Sequence, residues 1–405
     1  MVAHLSNAEA ERLGEAYFQD TQGVLGRMRS SAPATPVVIS GVGRAWLITP
    51  YEENREALAD PRLSKDWVSH LLPEGFAADD DPVRRYLNRH LLNLDPPDHT
   101  RLRRLVGKAF TPRRIAALRP RIVDITTELA DRLSEGPEVV DLIDHFAVPL
   151  PVTVICELLG VSIQDRDQFR GWSASILSSE SSADEFHAAA TEMYSFFAGH
   201  VNAKRHNLTD DIASAMIEAH DSGDSLDEHE LIAMMFLLIL AGHESSVNMI
   251  GNGTLALLSN PAQLALLQSD PGLINSAVEE LLRYSGPLNL ATERFTLEPV
   301  QIGSVEIPAG EWVFCALSAA NRDQSRFPDA DQLDILREDG GHLAFGHGIH
   351  YCLGAPLARM EAEIAFSSLF ARFPRMSLAV PATDLRWRST NVVHGLQSLP
   401  VRLRG

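Results

Sequence analysis

The sequence predicts a mainly helical α+β protein, and three observations support this prediction. Apolar residues recur at spacings of three and four from about residue 99 to residue 282, as in amphipathic helices. Pro112, Pro137, Pro261 and Pro271 interrupt that pattern at wide intervals, where helix boundaries are expected. β-branched runs lie before and after the stretch. We therefore expect a large helical body with a smaller sheet region.

The elements follow one another without a low-complexity linker. After Pro36 the runs PVVISGV and RAWLITP predict a β-hairpin, and YEENREALAD then predicts a helix. Short strands are predicted again in ERFTLEPVQIGSVEIPAGEWVFCALS and near the C-terminus. Because no internal repeat is visible, residues 1–405 are expected to form a single domain.

The most informative predicted helix runs from Ser225, where Ser-Leu-Asp-Glu resembles a capping box, to Asn260 before a proline. Its apolar run Leu231–Gly242 predicts burial, but acidic and hydroxyl residues follow that run directly. Buried polar groups destabilise a fold unless they are paired, so function is one explanation for them. The other explanation is that the second half of this helix simply reaches solvent, and the spacing of the residues alone does not distinguish the two explanations.

Composition excludes several classes of protein. The chain is 45% hydrophobic with a formal net charge of −19 and has no block of like charges, so we do not expect a nucleic-acid partner. The N-terminal residues lack a basic leader, and the longest apolar run is well short of the ~20 residues that cross a bilayer. We therefore expect a cytoplasmic protein without a membrane anchor.

The three cysteines, Cys156, Cys315 and Cys352, lie far apart without a CxxC pair, which argues against a disulfide framework and a structural zinc site. Cys352 follows a glycine-rich loop and precedes the helical pattern APLARMEAEIAFSSLFARF. Free N–H groups at a helix N-terminus favour a thiolate, which is a good iron ligand. By composition alone, an inert core cysteine is the alternative.

The order Phe345, Gly348, His350, Cys352 and Gly354 resembles the haem-binding signature of the cytochrome P450 family. The resemblance implies that Cys352 is the proximal ligand of the haem iron, where its electron donation favours O–O cleavage. It also implies that Phe345 packs beside the sulfur and that His350 meets a haem propionate. Gly354 belongs to the same cofactor-binding loop.

Two further segments match the family in the expected order. Glu280 and Arg283 resemble a family pair that forms a buried structural network, so we assign them to folding. His99 and Arg103 lie on one face of a helix that begins near Asp95, and the resemblance assigns both, with Arg294, to the propionates.

The same helix carries other cations on its opposite face, namely Arg101, Arg104 and Lys108. They suggest a docking site for an acidic ferredoxin, with an ordinary solvated helix face as the alternative.

The run Ala241-Gly242-His243-Glu244-Ser245 resembles the oxygen-binding motif of the family. There, Ala241 and Gly242 line the cofactor and leave room for dioxygen, while Glu244 and Ser245 form an acid–alcohol pair that delivers protons. Serine stands here in place of the usual threonine and lacks the methyl group that restricts its rotamers. Looser control, with release of peroxide, is the expected consequence.

Other site chemistries fit less well. An HExxH zinc motif at His243 fails because position 247 is valine, and the histidines around Cys352 lack structural zinc spacing. A thiolate-haem protein that binds gas or transfers electrons remains the alternative from another class, although it has no need of distal proton delivery. Peroxide-driven chemistry is a third variant.

The resemblance implies a triangular, helix-rich P450 domain that holds haem b between the long helix and the cysteine loop. It implies a monomeric monooxygenase of the soluble actinobacterial type, which takes O2, and electrons from NAD(P)H through a ferredoxin reductase and a ferredoxin. The substrate would be an apolar macrolide or other polyketide, a terpenoid or a sterol-like molecule. Family correspondence suggests substrate contacts from residues 66–94 and 169–201 and, more specifically, from Leu237, Ala241, Leu290, Ala291, Thr292, Val392 and Val393.

Overall fold

The computed structural model describes residues 10–71, 83, 87–178, 180–221, 227–338 and 340–404. Ser225 and much of the predicted pocket loop 66–94 lie outside the described residues. The described helices are α1 Glu15–Gln19, α2 Thr21–Ser31, α3 Tyr51–Ala59, α4 Trp67–Leu71, α5 Asp98–Ala109, α6 Pro112–Ala117, α7 Arg119–Glu135, α8 Pro149–Leu158, α9 Arg166–Leu177, α10 Ala183–Lys204, α11 Ile212–Asp221, α12 Glu228–Ser259, α13 Pro261–Ser269, α14 Ile274–Ser285, α15 Leu317–Ala320 and α16 Ala355–Arg372.

The described strands form three sheets. Their bounds are β1 Glu11–Leu13, β2 Ala34–Ile39, β3 Gly43–Ile48, β4 Leu63–Ser64, β5 Val139–Asp141, β6 Arg294–Thr296, β7 Val300–Ile302, β8 Val305–Ile307, β9 Trp312–Cys315, β10 Ser377–Leu378 and β11 Pro400–Arg402. The largest sheet has the order β1-β2-β3-β9-β6-β4, and the others have the orders β10-β11-β5 and β7-β8.

The predicted hairpin is confirmed as β2 and β3, which pair antiparallel from Ala34↔Ile48 to Ile39↔Gly43. Gly41 and Gly43 have φ values of 79° and 93°, so the connection uses backbone conformations that favour glycine. The helix predicted after the hairpin is α3. The strand β9 then joins β3 in parallel, which links the N-terminal hairpin to the strands near residue 294.

The long helix α12 has 32 residues and ends at Ser259, close to the predicted end. The predicted capping box was wrong in its residues. Asp227 is the N-cap and accepts from the Glu230 backbone N–H, while the Glu230 side chain accepts from the Asp227 N–H. An aspartate carboxylate is as effective an N-cap as a serine hydroxyl, and Glu230 supplies the acidic residue at the N3 position of this helix.

Helix α12 is the centre of the helical body. It packs against α8, α10, α14 and α16, and its residues belong to the largest hydrophobic cluster. Among the described residues it is the one helix with the length and apolar character of a membrane span, but 61% of the apolar window is buried inside the protein. Core packing therefore explains its apolar character.

Candidate active site

The cysteine loop is held by its own backbone. The Cys352 N–H donates to Phe345 O at 2.9 Å, which closes the loop around a short 3₁₀ turn at Gly348–His350. Gly346 and Gly348 have φ values of 71° and 75°. A Cβ atom at Gly348 would lie 2.9 Å from Leu58 O, so the loop can approach α3 only because this residue is glycine.

Cys352 stands immediately before α16, whose N-cap is Gly354. A Cβ atom on Gly354 would lie 3.9 Å from the Cys352 sulfur. Although Cys352 retains exposed surface, surrounding protein atoms desolvate the thiol and raise its pKa. The N–H groups of Gly354 and Ala355 and the charge of Arg103 lower that pKa without outweighing the desolvation. The helix N-terminus thus lowers the pKa of the thiol as expected, but burial outweighs it, and a bound metal would supply the positive charge that favours the thiolate.

Buried donors without partners cluster beside the cysteine loop. His99 and His350 come from different elements, and their ring centroids lie 4.3 Å apart. Both ring nitrogens of His99, Nε2 of His350 and Nε of Arg294 are buried and have no hydrogen-bond partner. Burial, followed by the charges of His99, Lys65, Arg294 and Arg103, lowers the pKa of His350 to about 2. These nitrogens have no acceptor among the described residues, and a group that carries carboxylates fits them.

Two arginines complete this cluster. Arg103 Nη2 donates to Tyr351 O at 2.7 Å, so α5 lies directly against the cysteine loop. Arg294 begins β6 and donates to Leu63 O and Leu58 O at 3.2 and 3.0 Å. The structure thus brings together His99, Arg103, Arg294 and His350, the four residues that the resemblance assigned to one cofactor edge.

One face of α12 is open although most of the helix is buried. Leu237, Ala241 and Ser245 follow one another at a spacing of four, and all three retain accessible surface, as does Gly242. Ser245 Oγ donates to Ala241 O at 3.1 Å. The other polar residues of this stretch, His243, Glu244 and Ser246, are buried, so the second half of the helix does not simply reach solvent.

Glu244 is directed away from Ser245. It is buried, its Oε2 lies 2.7 Å from Arg388 Nη1, and its Oε1 lies 3.7 Å from His243 Nε2. Arg388 belongs to the C-terminal segment, 144 residues away in sequence. No sequence pattern pointed to this ion pair, because nothing local connects the two residues.

A second acid–alcohol pair lies on the next residue of α12. Ser246 Oγ donates to Glu361 Oε2 of α16 at 2.5 Å, and both residues are buried. Burial raises the pKa of Glu361 to about 7, and the hydrogen bond from Ser246 offsets part of that rise. Sequence analysis missed the pair, although an acid within the apolar pattern of α16 was a usable signal.

The predicted substrate segments lie next to each other. Asn289 N donates to Val392 O at 2.8 Å, and Leu288 pairs with Val393 in an isolated bridge. Ala291 and Thr292 retain some exposure. Leu290 has no exposed surface and packs in the hydrophobic cluster of the N-terminal elements, so it is not open to a ligand here.

Glu280 and Arg283 form the predicted structural network. Two hydrogen bonds of 2.7 Å join the guanidinium to the carboxylate, and Arg283 also donates to Asn321 O and Ala330 O at 2.8 Å. Both residues are almost completely buried. The pair therefore holds α14 to the segments at Asn321 and Ala330.

The three proposed docking cations differ from one another. Arg101 forms ion pairs with Asp98 and with Glu230 of α12, so it links two helices. Arg104 and Lys108 are exposed on α5. In the cysteine loop, which Arg103 of the same helix contacts, Ile349 and Tyr351 are 51% and 39% exposed.

Comparison with known proteins agrees with this geometry. The family model described as Cytochrome P450 matches residues 172–384. "Cytochrome P450 107B1" of Saccharopolyspora erythraea is 49% identical over 395 residues, covering 96% of each chain. "6-deoxyerythronolide B hydroxylase" of the same organism is 44% identical and covers 96% of this chain and 98% of its own. A solved structure of the tirandamycin C-bound P450 monooxygenase TamI has a TM-score of 0.89 at 47% identity, covering 97% of this chain and all of that one.

The fold and the cysteine loop thus define a haem-thiolate class of protein, and the chain belongs to the cytochrome P450 family. Within that family it is a monooxygenase, an oxidoreductase. The predicted mainly helical P450 fold with a small sheet region is confirmed.

Proposed function

We propose that the protein binds haem b through Cys352 and inserts one oxygen atom from O2 into a C–H or C=C bond of an apolar natural product. The single observation that carries the proposal is the cluster of unpaired buried donors at His99, His350 and Arg294 beside the cysteine loop. Such donors are stable when carboxylates pair with them, as the two propionates of haem b would. When bound, the haem supplies the redox chemistry of oxygen activation.

Each residue of the proximal loop has a separate task in this proposal. Cys352 provides the thiolate ligand, and the Gly354 N–H lies close enough to its sulfur to lower the thiol pKa. Phe345 accepts the Cys352 N–H, and its ring lies under the Arg359 guanidinium at 4.4 Å. His99, Arg103, Arg294 and His350 would hold the propionates.

We assign proton delivery to Glu244 and Ser245. Ser245 lies on the open face of α12 with Leu237, Ala241 and Gly242, where a hydroxyl can donate into the pocket. Glu244 would supply protons after its side chain rotates, breaking the ion pair with Arg388 and turning the carboxyl towards the pocket. Ser246 and Glu361 hold a further proton near neutral pH in the interior. Distal donors of this kind favour a monooxygenase over a thiolate-haem protein that only binds gas or transfers electrons.

The substrate would lie against Leu237, Ala241, Ala291, Thr292, Val392 and Val393. These side chains are mostly apolar, which suits a macrolide or other polyketide body, or a terpenoid or sterol-like one. Relatives named for 6-deoxyerythronolide B and tirandamycin C favour the polyketide class. Leu290 leaves this set because it lies in the core.

Electrons would come from NAD(P)H through a ferredoxin reductase and a ferredoxin. The proposed docking surface consists of Arg104, Lys108, Ile349 and Tyr351, which combine positive charge with exposed apolar area. Arg101 is withdrawn from it because Glu230 neutralises its charge. A single domain, a monomeric state and a cytoplasmic location remain predictions.

Absorbance of the reduced, carbon monoxide-bound protein tests the central proposal. We expect the red-shifted Soret band of a thiolate ligand in the wild type and its loss in Cys352→Ser, while Cys156→Ala, at a buried cysteine in α8, keeps the band. A folded, haem-loaded wild type without that band would overturn the proposal.

A further inference from the structure

Lys65 is buried in the interior at the end of β4, with 2% of its surface exposed. Lysine is almost never buried this completely unless a carboxylate pairs with it. Its Nζ donates to Thr292 Oγ1 at 2.8 Å and to Glu293 O at 2.5 Å, and both acceptors are uncharged. Across the described ranges, no carboxylate forms an ion pair with this Nζ. Asp95 accepts from the Lys65 backbone N–H instead, at 3.1 Å.

Lys65 lies among groups of the candidate site. Ser64 pairs with Phe295 across β4 and β6, which places Lys65 beside Arg294 at the next position of the register. The charge of Lys65 contributes to the lowered pKa values of His350 and His90, after burial in each case. Lys65 therefore belongs to the same electrostatic cluster as the unpaired donors of the candidate site.

Burial is the main cause that lowers the pKa of Lys65, to about 8, and Arg294 adds to it against the attraction of Glu293 and Asp95. The side chain thus remains mostly charged at neutral pH. Glu293 and Asp95 offset part of the cost of burying this charge, but neither carboxylate contacts Nζ, and a buried ammonium is costly without a directly bonded partner. Two of the three N–H groups of the ammonium are used, so one donor remains for an anion.

We propose that Lys65 is an additional cationic contact of the haem propionates, beside the four residues that the family resemblance assigns to them. This inference rests on the proposed haem site. A propionate would supply a carboxylate in direct contact with Lys65 Nζ, and it would accept the remaining N–H. Because Thr292 lies in the proposed substrate pocket, Lys65 also joins the cofactor edge to a pocket residue.

The charge has a measurable consequence. A cation near the haem favours the state that carries one more electron, so removing it makes the reduction potential more negative. The loss of a charged hydrogen bond also weakens haem retention, by about tenfold if the bond has an ordinary strength.

The test uses purified holoenzyme and compares Lys65→Met, Lys65→Arg and the wild type. Two quantities are measured: the rate constant for transfer of ferric haem to a haem-scavenging apoprotein, and the reduction potential by spectroelectrochemical titration. We expect Lys65→Met to lose haem about tenfold faster and to have a more negative potential, and Lys65→Arg to restore both quantities towards wild type. If Lys65→Met does not fold, Lys65→Gln, which keeps hydrogen bonding without charge, takes its place.

Ser64→Ala is the matched control, because it removes the neighbouring hydrogen bond to Asp95 without removing a charge. Equal changes in Ser64→Ala and Lys65→Met would mean that loosening this turn is sufficient, which would overturn the proposal. Unchanged haem loss and potential in Lys65→Met would also overturn it. If the reduced, carbon monoxide-bound variants keep the thiolate-type Soret band in any of these cases, the proposed function is not contradicted.

Discussion

Ser245 is the residue at which this chain departs from the usual distal motif of its family. Its hydroxyl donates to Ala241 O along the helix, so it occupies a defined rotamer even without the threonine methyl group. Its neighbour Glu244 is held by Arg388 and is not hydrogen-bonded to it. The two halves of the proposed proton-delivery pair are thus separately restrained, and delivery needs movement of the acid.

Removal of the Ser245 hydroxyl tests its role directly. We expect Ser245→Ala to keep haem binding but to lower coupled product formation at least about tenfold, because proton transfer is no longer oriented. The measurement is the ratio of product and hydrogen peroxide to NADPH consumed. Ser245→Thr is the matched control and should couple at least as well as wild type. Unchanged coupling in Ser245→Ala would remove this residue from proton delivery.

At the scale of elements, the cysteine loop depends on its approach to α3. Gly348 combines a left-handed φ with a contact that forbids a Cβ atom, whereas Gly310 has a similar φ in open space. We expect Gly348→Ala to lower the free energy of unfolding by about 2–3 kcal/mol and Gly310→Ala by about 1 kcal/mol. Denaturant unfolding checks both values. Equal decreases in the free energy of unfolding for the two variants would show that the effect at Gly348 comes from backbone strain alone.

The packing of α12 on α16 makes stability depend on pH through Glu361. Burial raises the pKa of this carboxyl from its ordinary value of 4.5 to about 7 in the folded state. Folding therefore takes up a proton between these values, so stability falls as pH rises through this window and then levels off. We expect a decrease on the order of 3 kcal/mol in wild type relative to Glu361→Gln, which cannot ionise.

Denaturant unfolding of both proteins at about pH 5 and about pH 8 measures this difference. Glu363→Gln, at an exposed ion pair with Arg119 on the same helix, controls for the loss of a carboxylate. Parallel pH profiles for wild type and Glu361→Gln would contradict the assigned proton.

At the scale of the whole molecule, charge is unevenly distributed. The chain carries a formal charge of −19, yet Arg104 and Lys108 are exposed on α5, the helix whose Arg103 contacts the cysteine loop. A local positive surface on an acidic protein can steer an acidic partner to one face. Arg101 serves the fold instead, since it connects α5 to the beginning of α12.

Charge reversal separates these two roles. We expect Arg104→Glu to slow reduction by a ferredoxin by about tenfold at low ionic strength and by less at high salt, because screening weakens steering. Stopped-flow reduction over a salt series measures the effect. Arg27→Glu, an exposed site on α2, is the matched control. Equal rates of reduction for Arg104→Glu and wild type at low salt would show that Arg104 is not part of the docking surface.

Much of the fold could be predicted because its signals are local. The hairpin, the long apolar helix and the helix after Cys352 follow from residue types, periodicity and turn glycines within short windows. The motif residues around Cys352 and at His99, Arg103 and Arg294 were also identified from short patterns. The error at the start of α12 has a local cause too, since two overlapping sets of capping residues occur there.

The sequence by itself thus determined the helical body, the family signature and the candidate residues of both sides of the site. Tertiary structure alone decided which partners these residues have: Arg388 for Glu244, Glu230 for Arg101, Glu361 for Ser246 and Thr292 for Lys65. Each pairing joins segments far apart in sequence, and each effect depends on desolvation, which arises only when the segments pack together.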